Sequence, residues 1–217
     1  MSSCEPLQLL PQAHDVANDG GDGRPQPGCG DVRGQVLQRA DDDAILRSRV
    51  DLSHLPPLSR AVTERVVHSS ADLGYVDDLV LEESSLVAGR EALLAGAQVV
   101  ADVQMVAAGI TSRDAVCCVR EANATEGLTR SAAAVRMAFE QVGPGAVWVV
   151  GCAPTALFEL LEGDYAPALV IGLPVGFVGA AESKAALRFS GLPAVSNVSE
   201  KGGSAVASAA LNALLYA

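Results

Sequence analysis

ALVIGLPVGFVGAAESK, residues 168–184, decides how the rest of the chain is read. It opens on an unbroken apolar run, 168–173, rich in Val, Leu and Ile. A short run of this kind, closed by Gly and Pro, reads as a strand buried on both faces, because no alternation survives when neither side of the sheet meets water. Gly172, Pro174, Gly176 and Gly179 then punctuate a loop, and the chain turns Ala-rich and helix-friendly toward Glu182 and Lys184. Strand, glycine loop and helix in this order either aim backbone N–H groups at an anion or make a tight crossover whose glycines serve only the backbone.

The same unit recurs outward from that stretch. Residues 98–103, 116–119 and 146–150 read as further strands, and 193–198 as a last apolar run at a sheet edge. Between them lie helical patterns. Residues 59–68 follow the polar turn 51–57, with Ser59 as cap and Ser69 and Ser70 breaking the pattern. Residues 81–96 place Leu86, Leu93 and Leu94 in the core and stop at Gly96. A helical turn covers 105–110, an Ala-rich helix follows Thr129, Arg130 and Ser131 through Phe139, and Pro154 with Thr155 starts another. Lys201, Gly202, Gly203 and Ser204 lead into a final Ala/Leu helix, 205–215. Strands alternating with helices at this spacing mean an α/β fold: a single domain with a mostly parallel sheet of five or six strands and helices on both faces.

In such sheets ligands lie beyond the carboxyl ends of the strands. Those ends carry Asp102, Gly151 with Pro154 and Thr155, residues 172–179, and Lys201 with Gly202 and Gly203, so the loops are expected to converge on one rim. The glycines do not have the spacing of a dinucleotide fingerprint or a P-loop, which argues against a nucleotide-binding domain.

Composition sets the other bounds. A length of 217 residues suits one domain, and with 49% apolar but only 4% aromatic residues its core should be aliphatic. The net charge of −11 argues against a nucleic-acid partner. No apolar run is long enough to span a bilayer and no charged-then-apolar leader opens the chain, so it reads as soluble and cytoplasmic, without a membrane partner. The five cysteines include adjacent Cys117 and Cys118 but no CxxC pair, and there are three histidines, so neither a disulfide framework nor a metal site is expected. Residues 1–43, with their Gly, Pro and Asp tracts, keep no helical or strand period; they read as a disordered or atypical N-terminal arm ahead of a domain spanning 44–217.

His68 shares a helix face with Arg60 and Glu64. On its own it is a helix-end imidazole favoured there by the macrodipole. The segments ERVVHSS (64–70), ADVQMVAAGIT (101–111), LTRSAAA (128–134), GCAPTALFEL (151–160), 168–184 and KGGSAVASAALNALL (201–215), taken in order, change that reading. Together they strongly resemble the precorrin-8X methylmutase family of cobalamin biosynthesis, including its cobalt-precorrin-8 members, from about residue 51 onward.

The resemblance implies a homodimer that binds a tetrapyrrole, precorrin-8X or cobalt-precorrin-8, in a cleft shared between subunits. It implies an isomerase that moves a methyl group within ring C from the α-carbon to its neighbouring β-carbon, giving hydrogenobyrinate or cobyrinate, with no external cofactor. The family's Arg-x-x-His pattern falls on Arg65 and His68 and makes His68 the expected catalytic acid. That suits the chemistry, since an imidazole, titrating near ~6.5 in model peptides, can lend and recover a proton near neutrality. A carboxylate-rich substrate asks for cations and N–H donors. The expected substrate-binding set is Arg65, Gln104, Thr111, Arg130, Ser131, Gly176, Gly179, Lys184, Lys201, Gly202, Gly203 and Ser204, with Arg60 a further basic candidate. Two departures stand out. Gln104 stands where the family usually has Asn, and the family's aromatic-bearing N-terminal helix is not recognisable in residues 1–50. The altered arm motivates a second reading, a non-catalytic tetrapyrrole-binding protein on the same scaffold.

Overall fold

The computed structural model describes residues 44–217; the arm expected over 1–43 lies outside the described residues. Six strands form one sheet: β1 (Leu79–Leu81), β2 (Val99–Ala101), β3 (Ala115–Val116), β4 (Val147–Val150), β5 (Leu169–Gly172) and β6 (Ala194–Asn197). Between and around them run helices α1 (Pro57–Ser70), α2 (Tyr75–Asp78), α3 (Glu83–Leu94), α4 (Gln104–Gly109), α5 (Arg130–Val142), α6 (Pro154–Glu162), α7 (Ala180–Phe189) and α8 (Ser204–Tyr216). The strand order is β1-β6-β5-β4-β2-β3, with every pair parallel except β1 and β6.

The central strands show why the sheet is buried on both sides. Successive side chains point to opposite faces. Val147 and Val149 therefore join Leu169, Ile171 and Val195 in one core, while Trp148 and Val150 join Val170 in the other. The first core is filled by Val62 and Val66 of α1, Leu86 and Leu93 of α3, Val106 of α4 and Ala207 and Leu211 of α8. The second is filled by Ala134 and Val135 of α5, Leu157 and Leu160 of α6 and Leu187 of α7. α1 and α8 pack along one another on the first face. At Gly89 on α3 a Cβ would sit 2.5 Å from Leu169, so only glycine lets that helix approach β5 as it does.

Three expectations are corrected. The helix expected over 81–96 runs only from Glu83 to Leu94, because Leu81 ends a strand, Leu79–Leu81, that pairs antiparallel with β6. Consequently β6 is interior, between β5 and β1, and the edge strand is β1. Finally, α1 starts at Pro57 and continues through Ser69 and Ser70, whose hydroxyls donate back to the Val66 carbonyl. Ser59 is not its cap. The Glu83 carboxylate of α3 accepts from Leu58 N at 2.9 Å, Ser59 N at 2.8 Å and Ser59 Oγ at 2.6 Å, closing the helix from outside.

Candidate functional site

His68 occupies the last turn of α1 and is exposed, whereas Val66 and Val67 beside it are buried in the first core. The imidazole stands at a lip between two clefts. One, of about 160 Å³, is lined by Ala61, Glu64, Arg65 and His68 of α1 and by Ala213, Tyr216 and Ala217 at the end of the chain. The other, of about 380 Å³, is lined by Ile45, Leu46, Arg49, Val67, His68, Ala71 and Leu73. Arg65 thus shares the first cleft with His68, while Arg60 borders a separate hollow with Arg47 and Asp51.

Thr111 reaches the first cleft through a partner that the sequence did not suggest. Its Oγ1 lies 2.8 Å from the Tyr216 hydroxyl, and its N–H donates to Asn212 Oδ1 at 3.2 Å. Asn212 Nδ2 in turn donates to the Gly109 carbonyl at 2.8 Å, so the end of α4 is pinned to α8.

Beyond α1 the chain turns at Ala71, in the left-handed region at φ 54°, and presents Asp72. Lys201 Nζ pairs with Asp72 Oδ2 at 2.7 Å and lies 5.6 Å from the centre of the Tyr75 ring. This ties the loop between β6 and α8 to the end of the helix that carries His68. The loop also meets the glycine loop after β5: Gly176 N donates to Glu200 O at 3.2 Å and Gly203 N to Leu173 O at 2.9 Å. A Cβ at Gly202 would run into the carbonyl oxygens of Leu173 and Pro174, so this join needs glycine. Gly179, at φ 80°, opens α7 beside Pro154 and Phe158 of α6. Phe177 and Val178, at the tip of the glycine loop, are 96% and 89% exposed. Lys201, Gly202, Gly203, Ser204, Gly176 and Gly179 therefore sit in joined or neighbouring loops at one rim, as the sequence suggested.

Asp102 is at that rim too, but its carboxylate binds the protein itself. It accepts N–H groups from Gly151 at 3.1 Å, Cys152 at 2.8 Å and Ala153 at 2.9 Å and fixes the turn after β4. Burial pushes its pKa up, and these backbone donors offset part of the rise. Ser204 Oγ lies 2.9 Å from Cys152 Sγ, joining the start of α8 to the same turn. Burial raises the Cys152 thiol, so it is a neutral group and not an activated nucleophile. Gln104 Nε2 donates to the Cys117 carbonyl at 3.3 Å, an internal brace at the start of α4. Arg130 and Ser131 start α5, which packs on the face opposite α1; Arg130 is exposed, and Ser131 borders a small cavity with Asp102 and Trp148.

Lys184 is the largest departure from expectation. Its side chain has no exposed surface, and its ammonium donates to the carbonyl oxygens of Ser199 at 2.5 Å and Lys201 at 2.6 Å. It lies beneath the loop and faces backbone. Asp78 backs the same loop, accepting from Asn197 Nδ2, the N–H of Val198, and the N–H and hydroxyl of Ser199. Among the described residues no cluster of His, Cys, Asp and Glu is arranged to hold a metal ion, and no helix is long and apolar enough to cross a membrane.

Comparison with known proteins places this geometry. Residues 40–217 match the family model described as precorrin-8X methylmutase. A cobalt-precorrin-8 methylmutase of Salmonella typhimurium is 40% identical over 186 residues, covering 80% of this chain and 89% of that protein. A precorrin-8X methylmutase of Pseudomonas aeruginosa is 42% identical over 198 residues, covering 83% and 94%. The crystal structure of a precorrin-8x methyl mutase from Thermus thermophilus superposes with a TM-score of 0.76 at 31% identity, covering 83% of this chain and 95% of that one.

Proposed function

This chain belongs to the precorrin-8X methylmutase family, and from that premise we propose that it is an isomerase of corrin-ring biosynthesis acting on precorrin-8X or its cobalt form. The bond from the migrating methyl to the ring C α-carbon breaks as its bond to the neighbouring β-carbon forms, so no atom is gained or lost overall. In this reading His68 lends a proton to the ring C nitrogen, drawing electron density from the breaking bond, and recovers it afterwards. Arg65 and Lys201 face the substrate's carboxylates, with the glycine loops supplying neutral N–H donors.

The observation that carries the role of His68 is its position: an exposed imidazole on a helix whose opposite face is buried, at the lip of two clefts, one of which it shares with Arg65. The first cleft, about 160 Å³, is smaller than the ~300–1,000 Å³ usual for small-molecule sites. A tetrapyrrole therefore needs more wall than the described residues around this cleft offer, and we infer that the adjoining cleft of about 380 Å³ and a second copy, in a homodimer, supply it.

The test is incubation of the purified protein with precorrin-8X and, in parallel, with cobalt-precorrin-8, following the absorption spectrum. Appearance of the hydrogenobyrinate or cobyrinate chromophore is the expected result. Tight binding of either substrate without conversion would leave the non-catalytic tetrapyrrole-binding reading instead.

A further inference from the structure

Lys184 combines features that a surface cation does not have. It is fully buried on α7, and its ammonium is bonded to two backbone carbonyls of one loop. Those carbonyls belong to Ser199 and Lys201, which bracket Glu200 and lead straight into Gly202 and Gly203. Asn197 Nδ2 reaches the same two oxygens, at 3.3 Å for Ser199 and 3.0 Å for Lys201. Beyond the loop, the glycine join to Leu173 and Pro174 is too close for any side chain. The ammonium is thus the inner anchor of a backbone segment whose outer side carries Lys201 and borders the glycine loop after β5.

We propose that Lys184 is a positioning residue: its ammonium holds residues 199–203 against the glycine loop. The proposal that this also tunes substrate affinity rests on the reading of the rim as the substrate site.

The chemistry supports it. A charged donor to a carbonyl is roughly twice as strong as a neutral one, so a neutral amine keeps both partners but grips them less. Burial is the main influence on the ammonium and brings its pKa down from lysine's ordinary 10.5 to about 8. The charged groups around it are Asp78 and Glu200, which favour the ammonium, and Arg188, which opposes it. Asp78 is committed to Asn197, Val198 and Ser199, and Arg188 donates to the Asn197 carbonyl at 2.5 Å. Asp78 can only accept and Arg188 is committed elsewhere, so the other donor to the two carbonyls is the neutral Asn197 amide.

Between pH 8 and 10.5 the folded chain binds fewer protons at this lysine than the unfolded chain does, so this group adds to global stability as pH rises. Opening of the loop exposes the same amine and carries the same sign, so the clamp is tested at fixed pH by removing the donor.

The experiment is hydrogen exchange on the full chain at pH 7, beside a hydrogenobyrinate titration, for the natural chain, Lys184→Met and Lys184→Arg. In Lys184→Met, which removes the donor but keeps an unbranched apolar side chain, peptides covering 173–176 and 199–204 are expected to lose protection while β4 and β5 keep theirs, and Lys184→Arg, which keeps a cationic donor, is expected to restore much of it. Product affinity is expected to fall about three- to tenfold in Lys184→Met. Natural protection of those peptides in Lys184→Met, or a loss that extends through β4 and β5, overturns the clamp. A loosened loop with natural affinity keeps the clamp and removes this loop from the substrate site; absence of any product binding tells against the functional reading while the exchange data still decide the clamp.

Discussion

Lys201 Nζ sits 2.7 Å from Asp72 Oδ2, across a sequence gap that joins the end of α1 to the start of α8. The pair is exposed, and exposed pairs add little to folding. The hydrogen bond from this ammonium, with the Gly74 N–H, nonetheless holds the Asp72 carboxyl below its usual range. Lys201→Ala is therefore expected to move the melting temperature by no more than roughly 2 °C, while weakening hydrogenobyrinate binding by about tenfold. Calorimetric melting and a binding titration on the same sample check both numbers, and unchanged affinity would take Lys201 out of the site.

His68→Ala tests the proton donor. The side chain is exposed and bonds to no other described residue, so circular dichroism and melting should match the natural chain. Turnover is expected to fall by about 100-fold or more, with product binding largely retained. Turnover within a few-fold of natural would remove His68 from the mechanism.

The central strands were legible in the sequence because burial on both faces leaves continuous apolar runs: VWVV at 147–150 and LVIG at 169–172 are found where the pattern puts them, whereas the strand expected over 116–119 is only the half-buried pair Ala115–Val116. β1 was not, because its three residues are too few to show a pattern and Leu81 merges into the helical pattern that follows; only their pairing with Val195, Ser196 and Asn197 makes them a strand. The rim loops were legible from the topology rule. The burial of Lys184 was not, because a lysine in AESKAAL reads as a solvated position until β6 and its following loop are laid over it. Tyr216 was missed for a related reason: it joins Thr111 across more than a hundred residues, and no local pattern records that.

That Thr111–Tyr216 link can be measured. A double-mutant cycle of Thr111→Val and Tyr216→Phe, read by product affinity, should give a coupling of about 0.5–1.5 kcal/mol, with each single variant weakening binding only a few-fold. Additive effects would mean that the two hydroxyls act independently.

Glu83 governs the other end of α1. Burial pulls its carboxyl upward, but the Ser59 hydroxyl and the Leu58 and Ser59 N–H groups outweigh that and hold it below its ordinary 4.5. A depressed carboxyl stabilises the fold fully above its unfolded value and loses that contribution as pH falls through the folded one. Glu83→Ala should lower stability by about 1–2 kcal/mol at pH 7, the usual cost of a lost cap, and the difference from the natural chain should shrink in acid below 4.5. Urea unfolding at pH 7 and pH 3.5 checks the sign; a difference that grows in acid would contradict it.

Gly202→Ala should cost about 1–3 kcal/mol, since a methyl group there must displace the Leu173 or Pro174 carbonyl. It should also raise KM more than it changes kcat, because the disturbed backbone belongs to the rim loops assigned to substrate binding and not to the helix that carries His68. An equal fall in kcat would place the loop nearer the reacting carbon than proposed here.

The described sheet ends in very short borders: β1 has three residues and β3 two, against four in each of β4, β5 and β6. Such stubs offer almost no ladder of open N–H and C=O groups for another strand to extend. Fibril-like growth through this sheet is thereby discouraged, and what the described residues leave open to another molecule is helix and loop.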